Sequence, residues 1–192
     1  MRLFTAIELP DDVRRHVSEV ATKVRQALES RDPRPPVSWT KESNVHVTLK
    51  FLGDVPDERV PELLAALRTI RLPPPPLNLR AESLEAFPSR GAARVLVVRI
   101  AGDVDRLAAL HAAIEDRCAA LGFERENRRY RPHVTIGRPR VPLRGMWETM
   151  EAATSGRWPG PEFSSGTFSL VQSQLNPAGA IYTTVEAFRA FE

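Results

Sequence analysis

The tripeptide His-Val-Thr occurs twice in this chain, as His46-Val47-Thr48 and as His133-Val134-Thr135. Side chains at i and i+2 of a β-strand leave the same face, so each copy, if carried on a strand, aims one imidazole and one hydroxyl into the same space. Two such strands set face to face bring two imidazoles and two hydroxyls together. One ring can accept a proton while the other donates one, and the hydroxyls can hold phosphoryl oxygens. That set meets the needs of phosphoester chemistry without a metal. The residues themselves do not say which histidine is the acid and which the base.

A single His-x-Thr on a strand reads as structural, because threonine favours strands and histidine is tolerated there. Two copies, each in an apolar run (Val45 to Leu52 and Val134 to Ile136), point to function, since an unpaired polar side chain in such a setting is costly. His16, on the polar border of the first helical stretch, reads as a surface residue. His111 falls on an apolar stripe between Leu107 and Ile114 and reads as a partly buried helix histidine. Arg138, five residues after His133, can curl back from a strand end toward a phosphate, with Arg131 and Lys50 as weaker candidates. Phe4, Phe51, Phe87 and Trp39 could stack a base, although aromatics on strands more often pack in the core.

The elements that must carry these residues read as follows. Arg2 to Leu9 is strand-like, and Pro10-Asp11-Asp12 opens a helix with Val13, Val17, Val20, Val24 and Leu28 on one face, stopped by the proline-rich 32–36. Val37 to Trp39 and Val45 to Leu52 read as strands, Gly53-Asp54 as a turn, and a second helix runs from about Pro56 with Val60, Leu63, Leu64, Leu67 and Ile70. Pro73 to Pro76 must be an extended connector. Leu77 to Phe87 and Arg94 to Ile100 are strand-like, Asp103 to Leu121 is an amphipathic helix, and Tyr130 to Ile136 carries the second motif. A short helix over Arg144 to Ala153 and strands over Phe163 to Leu175 and Ile181 to Phe191 close the chain.

Setting Arg2 against Arg94 aligns strand with strand at an offset of 94 − 2 = 92, and the histidines are offset by 133 − 46 = 87. The pattern is an internal duplication, strand-helix-strand with His-x-Thr on the last strand, and a pseudo-twofold would face the two motifs across a groove.

Composition narrows the alternatives. A chain of 192 residues with 42% hydrophobic content suits one domain or two small lobes sharing a core. The single cysteine, Cys118, excludes an internal disulfide framework, and there is no Cys or His cluster at zinc-ligand spacing, so a reducing cytoplasm is the expected setting. The N-terminus meets Glu8 after a few apolar residues, and no run approaches the roughly 18 apolar residues of a span, so neither a signal peptide nor a membrane helix is expected. The formal charge is +3, and lysine occurs only at 23, 41 and 50, so the basic residues are nearly all arginine. That bias suits a polyanionic partner, but genomic base composition and a solvated surface account for it more readily. No Asp or Glu lies within either motif, which disfavours a carboxylate-built two-metal site, and neither a Gly-x-x-x-x-Gly-Lys loop nor a Gly-x-Gly-x-x-Gly fingerprint is present.

The segments His46-Val47-Thr48-Leu49-Lys50-Phe51-Leu52-Gly53-Asp54 and Arg131-Pro132-His133-Val134-Thr135-Ile136-Gly137-Arg138 resemble the paired signatures of the two-histidine phosphoesterase superfamily. The nearest branch is that of the RNA 2′,3′-cyclic phosphodiesterases, historically called 2′-5′ RNA ligases. The resemblance extends to Arg2-Leu3-Phe4, Phe87-Pro88 before Arg94-Val95-Leu96, and Ser173-Gln174-Leu175 leading to Gly179 and Tyr182; Gly137 departs from the usual pattern, which has a side chain there. It implies an α+β fold over 1–192, a single bilobal domain in which two antiparallel sheets line a central groove with helices outside. It also implies cofactor-free and metal-independent opening of a terminal 2′,3′-cyclic phosphate to a 2′-phosphate. His46 would donate a proton to the leaving 3′ oxygen and His133 would activate water, with Thr48, Thr135 and Arg138 holding the phosphate. The expected partners are RNA ends or small cyclic nucleotides, with no membrane and no obligate protein partner, the chain acting as a monomer. The competing readings are reversible 2′-5′ ligation of RNA halves at the same site and an RNA-binding module without turnover.

Overall fold

The computed structural model describes residues 1–30, 32, 36–154, 159–177 and 179–191. Three of the residues expected to stop the first helix, 33–35, lie outside these. In chain order the elements are β1 (Arg2–Glu8), α1 (Asp11–Glu29), β2 (Val37–Trp39), a 3₁₀ turn (Glu42–Asn44), β3 (His46–Asp54), a second 3₁₀ turn (Asp57–Arg59) and α2 (Val60–Leu67). The second half continues with β4 (Leu77–Phe87), β5 (Val95–Gly102), α3 (Val104–Ala120), β6 (His133–Pro139), α4 (Met146–Thr154), β7 (Glu162–Ser165), β8 (Thr167–Gln174) and β9 (Ile181–Arg189). The helix expected from Pro56 begins as the 3₁₀ turn and becomes α-helical only at Val60, where Pro61 falls in the first turn and needs no amide partner. The second motif strand starts at His133 rather than Tyr130.

The strands form two antiparallel arms, β3-β1-β8-β9 and β6-β5-β4-β7, with β2 paired to β6. Among the described residues the arms join into one nine-stranded sheet through a single register pair between β3 and β6, Val47↔Val134. The apolar run 163–175, expected as one strand, is two strands in different arms: β7 pairs with β4 and β8 with β1, and only Gly166 separates them. Six strand spacings lie between β7 and β8 in the sheet order, about 29 Å if the sheet were flat, whereas one intervening residue spans only about 7 Å. The sheet must therefore curl, and its concave face is the groove.

The helices cover the other face. α1 packs with α4, α2 with α3, and each long helix also touches the motif strand of the other half, α1 against β6 and α3 against β3. Val13, Val17, Val20, Val24 and Leu28 of α1 are all buried, as are Leu107, Leu110, Ile114 and Cys118 of α3. Val47, Leu49, Val134 and Ile136 meet them in one core. A second, smaller apolar cluster of Phe4, Ala6 and Val171, with Tyr182 against it, lies on the groove side of the first arm.

Candidate active site

Along β3 the exposure of successive residues from His46 is half-buried, buried, half-buried, buried, buried, exposed, and along β6 from His133 the same sequence repeats. Plain alternation would send the fifth residue after each histidine to the opposite face. A bulge prevents it. The β1–β3 register skips Leu49 (Ala6↔Thr48, then Thr5↔Lys50), and the β5–β6 register skips Ile136 (Val97↔Thr135, then Leu96↔Gly137). Each extra residue stands three positions after its histidine and reverses the phase of the strand beyond it. Phe51 and Arg138 thereby project on the same side as the His-x-Thr pairs.

Because β3 and β6 run antiparallel through Val47↔Val134, continuing the register by one residue either way sets His46 opposite Thr135 and Thr48 opposite His133. Both valines are fully buried in the core, so the four polar side chains occupy the groove face. The structure therefore brings together all five residues singled out from the sequence: His46, His133, Thr48, Thr135 and Arg138.

Each imidazole is oriented by its own chain. His46 Nδ1 donates to the carbonyl of Asn44 at 2.8 Å and His133 Nδ1 to the carbonyl of Arg131 at 2.7 Å. A carbonyl only accepts, so Nδ1 carries the proton in both rings and Nε2 is the exchanging atom. His46 Nε2 lies 3.0 Å from Thr48 Oγ1. Aromatic rings press on both: Phe4 lies 4.8 Å and Tyr182 5.4 Å from the His46 ring, and Phe87 meets the His133 ring edge-on at 5.3 Å. Burial pushes both imidazoles below the ordinary histidine value, opposed in each by the carbonyl that accepts from Nδ1. The Arg138 guanidinium lowers both further, and His46 also feels the charge of His133 and, in the raising direction, that of Glu8. For His133 the raising carboxylate is Glu85.

Behind the first motif lies a buried polar group. Lys50 Nζ donates to both oxygens of Glu115, at 2.8 and 2.9 Å, and to the Glu124 carbonyl at 2.7 Å, which uses all three of its protons. Lys50 and Glu115 are 4% and 5% exposed, so Lys50 is withdrawn from the groove that the sequence left open to it. Tyr130 donates its hydroxyl to the Thr48 carbonyl at 3.1 Å, and its ring stacks on His111 at 4.1 Å. His111 is the partly buried helix residue its position on the stripe suggests.

Arg131 enters through its carbonyl, and Trp39 lies over Gly137 rather than in the groove. A Cβ added at Gly137 would stand 3.0 Å from Val37 Cγ1 and 3.1 Å from Trp39 Cε3, so glycine at this position lets β2 close on β6. Sequence reasoning missed Glu8, the cross-strand partner of His46, and did not weigh Tyr182 as a ring neighbour or Tyr130 and Glu115 as supports. Only the tertiary pairing identifies them. Among the described residues no three His, Cys, Asp or Glu side chains gather as a metal-holding set, and no described helix is long and apolar enough to cross a membrane.

The family model of the LigT-like phosphoesterases fits the chain twice, over 7–97 and over 98–182, each match containing one His-Val-Thr. An RNA 2′,3′-cyclic phosphodiesterase of Thermus thermophilus is 31% identical, covering 98% of this chain and 89% of its own. One from Methanocaldococcus jannaschii is 27% identical over 97% and 99%. A crystal structure of a Thermus thermophilus protein superposes with a TM-score of 0.75 at 30% identity, over 99% of this chain and 98% of that one. E. coli LigT complexed with 3′-AMP has the same fold, with a TM-score of 0.70 at 22% identity over 98% and 97%. With a family match that falls twice along its length, once on each motif half, this chain belongs to the LigT-like phosphoesterase family.

Proposed function

We propose that the chain hydrolyses terminal 2′,3′-cyclic phosphates of RNA, and small 2′,3′-cyclic nucleotides, to 2′-phosphates, with His46 as general acid and His133 as general base and with no metal. The observation that carries this reading is the meeting of two Nδ1-anchored imidazoles, each beside the other half's threonine, around the Val47–Val134 pair. The names of the near-full-length relatives supply the substrate.

In this reading the cyclic phosphate sits between the rings. His133 Nε2 takes a proton from water, the water oxygen attacks phosphorus opposite O3′, the P–O3′ bond breaks, and His46 Nε2 delivers its proton to O3′. One water is consumed, a 3′ hydroxyl and a 2′-phosphate are formed, and the two rings have exchanged protonation states, which solvent resets. Thr48 and Thr135 hold the non-bridging oxygens, and the Arg138 guanidinium offsets charge that builds on the phosphorane. The Nδ1 anchors keep both Nε2 atoms aimed at the phosphate, so little reorganisation accompanies proton transfer. We take the whole of 1–192 as one catalytic domain acting as a monomer in the cytoplasm.

The test is an incubation of a cyclic-phosphate oligoribonucleotide with the protein in excess EDTA, with the product resolved by phosphorus NMR. A 2′-phosphate formed at an undiminished rate is expected. A 3′-phosphate, or activity lost to EDTA and restored by Mg²⁺ or Mn²⁺, would assign a different chemistry.

A further inference from the structure

The groove face of the first arm continues past His46 into a pocket that the proton transfers do not use. Phe4, Ala6 and Val171 form its floor, Tyr182 one wall, and Glu8 and Thr184 its polar side, with about 450 Å³ of empty space including the mouth. Glu8 is the register partner of His46, so its carboxylate leaves the sheet on the same face as the acid imidazole. Thr184 Oγ1 donates to Glu8 Oε1 at 2.8 Å on the exposed side of the pocket. Among the described residues no cation pairs with Glu8, and the nearby Arg14 is committed to the Leu9 carbonyl and to Asp11. The far wall is held too: Asn44 Nδ2 donates to the Ala180 carbonyl at 2.7 Å and ties the 42–44 turn to the loop before β9.

A carboxylate beside a phosphate site repels the phosphate, so a substrate group that meets it is a donor of hydrogen bonds. We propose that this pocket holds the base of the terminal nucleoside and that Glu8 makes it selective for guanine. The placement rests on the role assigned above: if His46 protonates O3′, the ribose bearing O3′ lies on the His46 side, and its base reaches over β1 toward β8 and β9. The apolar floor and the Tyr182 ring suit a purine face. Guanine alone among the four bases presents two adjacent N–H donors, N1–H and N2–H, that a carboxylate accepts in parallel. Adenine and cytosine put a ring-nitrogen acceptor beside their amino group, and uracil flanks its single N–H with two carbonyls; each sets a lone pair against the carboxylate. The opposite arm differs in kind, for the register partner of His133 is Arg99, whose guanidinium is engaged by Glu82 and Glu85.

The test compares kcat/KM for guanosine and uridine 2′,3′-cyclic phosphates in the wild type and in Glu8→Gln, together with calorimetric binding of 2′-GMP and 2′-UMP, which needs no turnover. The wild type should prefer guanosine by at least roughly tenfold, and Glu8→Gln should bring the ratio close to one in both measurements, as expected for a lost charge-assisted pair. No guanosine preference in the wild type, or an unchanged ratio in the variant, overturns the proposal. So does a uniform loss on both substrates with a displaced pH profile, which would make Glu8 a modulator of His46 instead. Selective binding of 2′-GMP without hydrolysis of any cyclic nucleotide would keep the pocket and overturn the reaction proposed above.

Discussion

Val47 and Val134, the middle residues of the two His-Val-Thr motifs, are register partners, and among the described residues theirs is the only pair that joins the motif strands. Both side chains are fully buried, so the helix-facing core fixes the spot about which the two imidazoles and two hydroxyls are arranged. The apolar middle residue of each motif brings the halves together from below the groove. A pair of imidazoles is thus positioned by packing and oriented by backbone carbonyls.

The paired-imidazole mechanism predicts that His46→Ala and His133→Ala each lower kcat by roughly 10²–10⁴, the usual range for a lost acid or base. The double variant should be little worse than either single one, since the two act as a unit. Steady-state rates on a 2′,3′-cyclic nucleotide decide it, and near-normal turnover by either single variant contradicts the mechanism.

The activity should have a bell-shaped pH profile, with one ring neutral and the other protonated. Burial holds both imidazoles below their ordinary value near 6.5, so the maximum of kcat/KM should fall on the acid side of pH 6.5. The limbs belong to the interacting pair rather than to one ring each. Arg138→Gln removes a positive charge that lowers both rings, so both limbs should move to higher pH while the rate falls about 10- to 100-fold. Limbs that stay in place would separate Arg138 from the histidines.

Much of this site was legible in the sequence, and the three limits have physical causes. The His-x-Thr pairs were visible because strand periodicity puts i and i+2 on one face, and the duplication was visible because its strand-helix-strand order survives unequal loops. Whether Arg138 shares that face was not, because five residues is an odd step and only the bulge at Ile136 corrects it. Bulges leave no mark in an apolar run. The split of 163–175 was hidden for a similar reason: Gly166 is the only interruption, and pairing partners far away in sequence decide which arm each half joins. The face of Lys50 stayed open in the sequence because the bulge at Leu49 decides it and its buried partner, Glu115, lies 65 positions on.

That buried pair carries a stability prediction. Lys50→Met leaves the Glu115 carboxylate without its main partner in the core and should cost about 3–5 kcal/mol. The double variant Lys50→Met, Glu115→Leu should recover most of the loss, because no charge then remains to be compensated. Urea denaturation of the three proteins checks it; a double variant as unstable as the single one would place the cost in packing rather than charge.

Gly137→Ala should cost about 1–3 kcal/mol, since its Cβ would press on Val37 and Trp39. Adding Val37→Ala, which removes the nearest atom, should return part of that stability. Thermal melts of the single and double variants give the answer, and an unaffected Gly137→Ala would mean that β2 shifts freely on β6.

The division of labour between the histidines is tested most directly with a substrate whose 3′ oxygen is replaced by sulfur. A thiolate leaves with little protonation, so the loss of a general acid matters less, whereas the need to activate water is unchanged. Single-turnover rates of His46→Ala and His133→Ala on the 3′-thio and 3′-oxo cyclic phosphates should show strong rescue of His46→Ala and little of His133→Ala. Rescue of His133→Ala instead, or equal rescue of both, would contradict the assignment of His46 as acid and His133 as base.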